Sequence, residues 1–113
     1  MKIYHNPKCS KSRQSLEIVR SKTSDFEIVE YLKKPLTVKE ITILLSQLNI
    51  KPLALVRTQE IIWKETYKGK KLSDIEIIKA MFEHPKLIER PIVVKNNKAV
   101  IGRPPKNVLN LFT

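Results

Sequence analysis

The sequence predicts an α/β protein with a mixed four-stranded sheet whose strands come from the two ends of the chain. Short apolar or β-branched runs lie near both termini, around Ile3 and over residues 92–94. Two helix-start patterns, at 37–40 and 73–76, lie between these runs. The predicted order of elements is therefore βαβ, a helical block, and ββα.

The first part of this order is a strand, a helix and a second strand. The strand around Ile3 and Tyr4 ends before Asn6-Pro7, a pair that favours a turn. A helix is predicted from residue 10 to about residue 20, because Ser10 and Ser12 suit a helix start and Leu16 and Val19 lie at helical spacing. Residues 26–29 are mostly apolar or β-branched and predict the second strand. Because one helix connects the two strands, we expect them to be parallel.

Residues 35–84 predict a block made only of helices. Capping boxes at 37–40 and 73–76 begin two amphipathic helices, because each pairs a hydroxyl at the N-cap with a carboxylate three residues later. We expect the first helix to end near Asn49 and the second to end before Pro85.

Two shorter helical stretches are predicted between them, one from Lys51-Pro52 and one over residues 60–67. We expect the methionine and aromatic side chains of this block, including Phe82, to lie in the core. Since 113 residues are typical of one domain, we interpret the block as an insertion, at about residues 35–84, in a single domain of residues 1–113.

The C-terminal part predicts a β-hairpin and a closing helix. A β-branched run at 92–94 and a second strand at 99–101 flank Asn96-Asn97, which is a turn signal. Pro104-Pro105 marks the start of a closing helix, which carries the apolar residues at 108, 109 and 112.

Composition narrows the class of protein. The formal net charge of +11 suggests nucleic-acid binding, but the lysines are scattered and few aromatic residues lie among them, so we interpret them as a solvated surface. No apolar run approaches the roughly 20 residues of a membrane span, so we expect a cytoplasmic protein. The sequence gives no signal of an oligomer, so we expect a monomer. One cysteine and two histidines do not supply a metal-ligand set.

Cys9, the only cysteine, lies in the predicted turn between the first strand and the first helix. A sulfur there would face the positive end of the helix dipole and unpaired backbone N–H groups, and both favour the thiolate. We therefore predict a nucleophilic or redox cysteine. The alternative is a small buried hydrophobic side chain, since unpaired cysteines are often buried.

Four motifs together resemble the glutaredoxin-linked arsenate reductase family, which has a thioredoxin-like fold. They occur in order along the whole chain: IYHNPKCSKSR at 3–13, LALVR at 53–57, ERPIVV at 89–94 and IGRPP at 101–105. The resemblance implies a cis peptide bond before Pro91 and a place for this proline beside the cysteine. The chain departs from some family members at Ser10, where they carry glycine.

The resemblance also implies the roles of six residues. Cys9 is the implied nucleophile, His5 helps to keep its thiolate charged, and Ser12 is the motif serine near the sulfur. The implied ligands of the arsenate and arsenite oxygens are three arginines, Arg57, Arg90 and Arg103. Taken alone, Arg57 fits a solvated surface charge better than an oxyanion ligand, and His5 could be a hydrogen-bonded structural histidine.

The implied reaction is the reduction of arsenate, or of a similar oxyanion, with no bound cofactor. A thiolate that attacks an oxyanion brings two negative centres together, and guanidinium groups can offset their repulsion. Glutathione is the implied co-substrate and glutaredoxin the implied partner. A chain with one cysteine agrees with this, because it cannot form an internal disulfide and must use another molecule's thiol.

Two alternatives of different kinds remain open from the sequence. One is a thiol reductase with another substrate. The other is a regulatory protein similar to Spx-type regulators, which bind RNA polymerase and commonly sense oxidants with a Cys-x-x-Cys pair. Ser12 stands in place of the second cysteine of that pair, so an internal disulfide switch is excluded but polymerase binding is not.

Overall fold

The computed structural model describes residues 1–112, and the chain divides into two compact units. The first unit joins Met1–Lys34 to the chain from Arg90 onward, and it contains the sheet. The second unit, Pro35–Glu89, contains helices. The predicted insertion at 35–84 falls within this second unit.

A four-stranded mixed sheet forms the centre of the first unit. Its strands are β1 (Lys2–Tyr4), β2 (Glu27–Val29), β3 (Ile92–Lys95) and β4 (Lys98–Ile101), in the spatial order β2-β1-β3-β4. The β1 and β2 strands are parallel, whereas β3 is antiparallel to both β1 and β4. The predicted mixed sheet, with its parallel βαβ pair and its hairpin, is therefore confirmed.

One face of this sheet is covered by two helices. Ile3 and Val93 are directly paired between β1 and β3, so their side chains point to the same face. They form a buried cluster with Leu16 and Val19 of helix α1 (Ser10–Lys22) and with Val108. Helix α1 therefore lies on the sheet through its apolar stripe.

The closing helix spans Pro105–Phe112 and contributes Val108 to that cluster. It is helical as predicted, but it is a 3₁₀ helix and not an α-helix. Lys95 of β3 stabilises its last turn, since its Nζ donates to the Leu111 carbonyl at 3.2 Å and lies 4.8 Å from the centre of the Phe112 ring.

The helical unit contains α2 (Val38–Leu48), α3 (Ile61–Thr66) and α4 (Asp74–Glu83), with two short 3₁₀ helices at Pro52–Leu55 and Pro85–Leu87. Both predicted capping boxes are present. The Thr37 and Ser73 hydroxyls accept from the N–H groups of Glu40 and Glu76, whose carboxylates accept in return. The α4 helix contacts α2 and both 3₁₀ helices.

The prediction that Phe82 lies in the core is wrong, since this side chain is 44% exposed. The buried positions of α4 are Ile77, Ile78, Ala80 and Met81. Phe82 lies one position, or about 100°, further around the helix than Met81. Trp63 and Met81 are buried, as expected of core residues. Within residues 1–112, no helix is both long and apolar enough to cross a membrane.

Candidate active site

The strand register brings three separate segments of the chain to one end of the sheet. Tyr4, the last residue of β1, is paired with Ile92, the first of β3, and Ile92 is paired with Ile101, the last of β4. The segment that leads from β1 to Cys9 therefore starts beside Arg90, two residues before β3, and Arg103, two residues after β4. The peptide bond between Arg90 and Pro91 is cis, as predicted.

Two arginines contact the sulfur of Cys9. The Nη1 of Arg103 lies 3.9 Å from Cys9 Sγ and 3.4 Å from the Arg90 carbonyl oxygen, to which it donates. The Arg90 side chain also favours the charged sulfur, since its N–H groups and its positive charge lower the pKa of the Cys9 thiol. Its Nε is buried and has no hydrogen-bond partner among residues 1–112. The site therefore places guanidinium groups around a half-buried thiol.

Cys9 is the N-cap residue of α1, with φ −97° and ψ 122°. Burial raises the pKa of its thiol, but the Ser12 N–H, the Arg90 side chain and the Lys11 N–H outweigh this effect, and the pKa falls below its ordinary value. The sulfur makes no regular capping hydrogen bond with these amides. Their N–H dipoles nevertheless favour the charged sulfur, as the sequence predicted for a helix start.

His5 and Ser12 form a buried pair next to the cysteine segment. The Nδ1 of His5 lies 2.6 Å from Ser12 Oγ, which also accepts from the Asn6 N–H at 3.0 Å. Burial lowers the pKa of His5 and the charges of Arg20 and Arg13 lower it further, while Glu30 opposes them. A neutral imidazole can accept the Ser12 hydroxyl hydrogen.

Sequence reasoning missed the structural roles of two residues that shape this segment. Asn6 is buried, and its side-chain oxygen accepts from the Lys8 N–H at 3.0 Å. Arg13, on α1, donates through Nη1 to the Pro7 carbonyl at 2.8 Å. The Asn-Pro pair was interpreted only as a turn signal, although the preference of asparagine for side-chain-to-backbone bonds in turns could have identified Asn6.

Gly102 allows the backbone to pass close to α1. A Cβ at this position would overlap the Ser15 hydroxyl and lie 2.9 Å from Cγ of Pro91. Its N–H donates to the Pro91 carbonyl at 2.9 Å, and its carbonyl accepts from Ser15 Oγ at 3.4 Å. These contacts hold the residue immediately before Arg103.

Arg57 belongs to the helical unit. Its backbone N–H donates to the Leu87 carbonyl at 2.7 Å, next to a bridge between Val56 and Ile88. Its Nε lies 3.6 Å from Glu60 Oε1, which is an ion-pair distance longer than a hydrogen bond. The role of Arg57 as an oxyanion ligand stays a prediction.

The chain is similar to known proteins over nearly its whole length. The family model described as ArsC family matches residues 4–111. An arsenate reductase of Haemophilus influenzae is 41% identical over 112 residues, which cover 97% of each chain. The chain belongs to the ArsC family.

In the part of this ArsC-family chain that the structure describes, no three His, Cys, Asp or Glu side chains could together hold a metal ion.

Two further relatives extend this similarity. The uncharacterized protein YfgD of Escherichia coli K12 is 43% identical to this ArsC-family chain over 113 residues, covering 98% of this chain and 95% of YfgD. The solved structure of an arsenate reductase from Vibrio cholerae has 44% identity, a TM-score of 0.93 and 98% coverage of both chains. The predicted thioredoxin-like fold is therefore confirmed.

Proposed function

We propose that this ArsC-family chain reduces arsenate with Cys9 as the nucleophile. The observation that carries the proposal is the Cys9 sulfur at the start of α1, with Arg103 Nη1 at 3.9 Å. The Arg90 side chain adds to this by lowering the pKa of the thiol. Relatives named arsenate reductase support the choice of substrate.

In the first step the Cys9 thiolate attacks the arsenic of arsenate, and one arsenate oxygen leaves as water after protonation. Both reactants are anions, so the step needs positive charge at the oxygens as the bond forms. Arg90 and Arg103 supply that charge, and the buried Nε–H of Arg90 is a donor to which an arsenate oxygen can bind. Arg57 is the third proposed ligand.

In the next steps two thiols supply two electrons. Glutathione adds to the Cys9–arsenate adduct, arsenic leaves as arsenite, and the sulfurs of Cys9 and glutathione join in a mixed disulfide. A glutaredoxin thiol then takes the glutathione and frees Cys9. The balance is one arsenate and two thiols giving one arsenite, one disulfide and one water. The partner thiols are needed because Cys9 is the only cysteine.

His5 and Ser12 are proposed to support the thiolate indirectly. The Ser12 N–H lowers the pKa of Cys9, and the Ser12 hydroxyl is held between His5 and the Asn6 N–H. His5 therefore acts on the sulfur through Ser12, by fixing the first turn of α1.

The test is arsenate-dependent NADPH oxidation in the presence of glutathione, glutaredoxin and glutathione reductase. We expect turnover that Cys9→Ser abolishes. Arg103→Gln should lower kcat/KM by about 10²–10³-fold, the usual loss when one donor to a developing oxyanion is removed. Arg20→Gln is the matched control, because Arg20 lies on exposed α1 surface and pairs with Glu17 at 2.8 Å.

Two results would count against this proposal. Turnover that survives Cys9→Ser would remove Cys9 from the reaction. Turnover with thioredoxin and thioredoxin reductase, but none with glutathione and glutaredoxin, would keep arsenate reduction and overturn the proposed reductant.

A further inference from the structure

The segment from Asn6 to Cys9 uses all of its backbone N–H groups internally. The Asn6 N–H donates to Ser12 Oγ, and the Cys9 N–H donates to the Asn6 carbonyl at 3.0 Å. The Lys8 N–H donates to the Asn6 side chain at 3.0 Å, and Pro7 has no N–H. None of these amides is therefore directed at the sulfur, in contrast to those of the first turn of α1.

Asn6 lies at the centre of this arrangement. Its N–H, its carbonyl and its side-chain oxygen each make one of the three bonds, and the residue is only 7% exposed. The bond from the Lys8 N–H to Asn6 Oδ1 closes a turn around Pro7, a local structure that asparagine side chains favour. Arg13 holds the outer side of the same turn through the Pro7 carbonyl.

We propose that Asn6 is a positioning residue whose side-chain amide holds the turn that places the Cys9 sulfur against the first-turn amides of α1. The chain enters α1 at Cys9 in extended conformation, which is the conformation typical of an N-cap residue whose side chain reaches back over the helix start. The inference rests on the proposed role of Cys9 as the nucleophile.

The amide oxygen acts by restricting the turn. Without it the Lys8 N–H has no partner in the segment and turns to solvent, so residues 7 and 8 gain conformations in which Cys9 leaves the N-cap position. Interactions between the sulfur and the Lys11 and Ser12 amides weaken with distance, because they are charge–dipole interactions. The thiol should therefore titrate closer to the value of free cysteine, about 8.5.

The experiment measures the rate of Cys9 alkylation by iodoacetamide against pH in the full chain. Asn6→Ala should raise the midpoint by at least about half a pH unit, within the range over which helix starts shift cysteines. Asn6→Ser should give a midpoint between those of Asn6→Ala and the unchanged chain, because a hydroxyl can accept the same turn hydrogen bond more weakly.

Thr23→Ala is the matched control. Thr23 Oγ1 accepts from the Asp25 N–H at 3.0 Å, which is a bond from a backbone N–H to the side-chain oxygen two residues earlier, as at Asn6 and Lys8. Thr23 lies at the C-terminal end of α1, away from Cys9. This variant should leave the midpoint unchanged. Urea unfolding of all variants would separate lost stability from a change at the sulfur.

An unshifted midpoint in a folded Asn6→Ala variant would overturn the inference and leave Asn6 a structural residue only. A shift of the same size in Thr23→Ala would also overturn it, since any loosening of the unit would then suffice. Alkylation needs no arsenate, so this result stands apart from whether the chain reduces arsenate.

Discussion

Replacing Gly102 with alanine should disturb the packing behind the site and the position of Arg103. Gly102 is not in a left-handed conformation, so alanine meets no backbone strain and the cost comes from contacts. The new Cβ would overlap Ser15 Oγ and lie 3.2 Å from Ser15 Cβ and 2.9 Å from Pro91 Cγ. At least one of these neighbours must move.

The expected loss of stability has two parts. Extra atoms in a well-packed interior cost about 1–3 kcal/mol. If Ser15 rotates away, its hydrogen bond to the Gly102 carbonyl is also lost, which costs about 0.5–1.5 kcal/mol. We therefore expect Gly102→Ala to lower the free energy of unfolding by about 1.5–4.5 kcal/mol.

Urea unfolding of a double-mutant cycle with Ser15→Ala would measure this loss and its cause. The cost of Gly102→Ala should fall by at least about 1 kcal/mol in the Ser15→Ala background, because the overlapping oxygen is gone. Gly69→Ala is the control. Gly69 has φ +82° and open space around its Cβ position, so alanine there should cost about 1–2 kcal/mol through its backbone alone and add to Ser15→Ala.

Equal costs of Gly102→Ala with and without the Ser15 hydroxyl would refute the overlap as the cause. A loss below about 1.5 kcal/mol for Gly102→Ala would refute the magnitude. In either case the contacts between Gly102 and Ser15 of α1 would not account for the position of Arg103.

Two further predictions concern pH and helix starts. Burial lowers the pKa of His5, so as pH falls below about 6.5 the unfolded chain binds a proton before the folded chain does, and the free energy of unfolding should fall. Urea unfolding at pH 7.5 and 5.5 should show a smaller loss of stability in His5→Asn than in the unchanged chain. An equal loss in both proteins would contradict this assignment. Thr37→Ala and Ser73→Ala should each lower the free energy of unfolding by about 0.5–2 kcal/mol, since each removes the side-chain acceptor of a capping box, whereas Thr42→Ala on exposed α2 surface should cost less.

Local patterns predicted most elements well, because the signals that specify them lie within a few residues. The capping boxes form the bonds expected of them, and Asn96 and Asn97 both adopt positive φ in the hairpin turn, as a two-residue loop of this kind requires. Phe82 was misassigned because an apolar residue beside a buried stripe extends the pattern without lying on the buried face.

The candidate site was less accessible from the sequence. The basic, polar turn around Cys9 indicated an activated thiol, and the resemblance to arsenate reductases pointed to three arginines. The bond from the Lys8 N–H to Asn6 Oδ1 is local, and the turn preference of asparagine could have identified it. Nothing in the local pattern indicated that Gly102 would face Ser15, because that depends on how distant segments approach each other.

The sequence by itself determined where Cys9 would lie, at the start of a helix, because a turn signal and helical spacing meet there within a few residues. Only the tertiary structure decided that Arg103, 94 residues away along the chain, reaches that sulfur. The reason is the register of β1, β3 and β4, which aligns Tyr4, Ile92 and Ile101 and so brings the ends of these strands together. Such pairing depends on contacts between distant segments, which no local periodicity specifies.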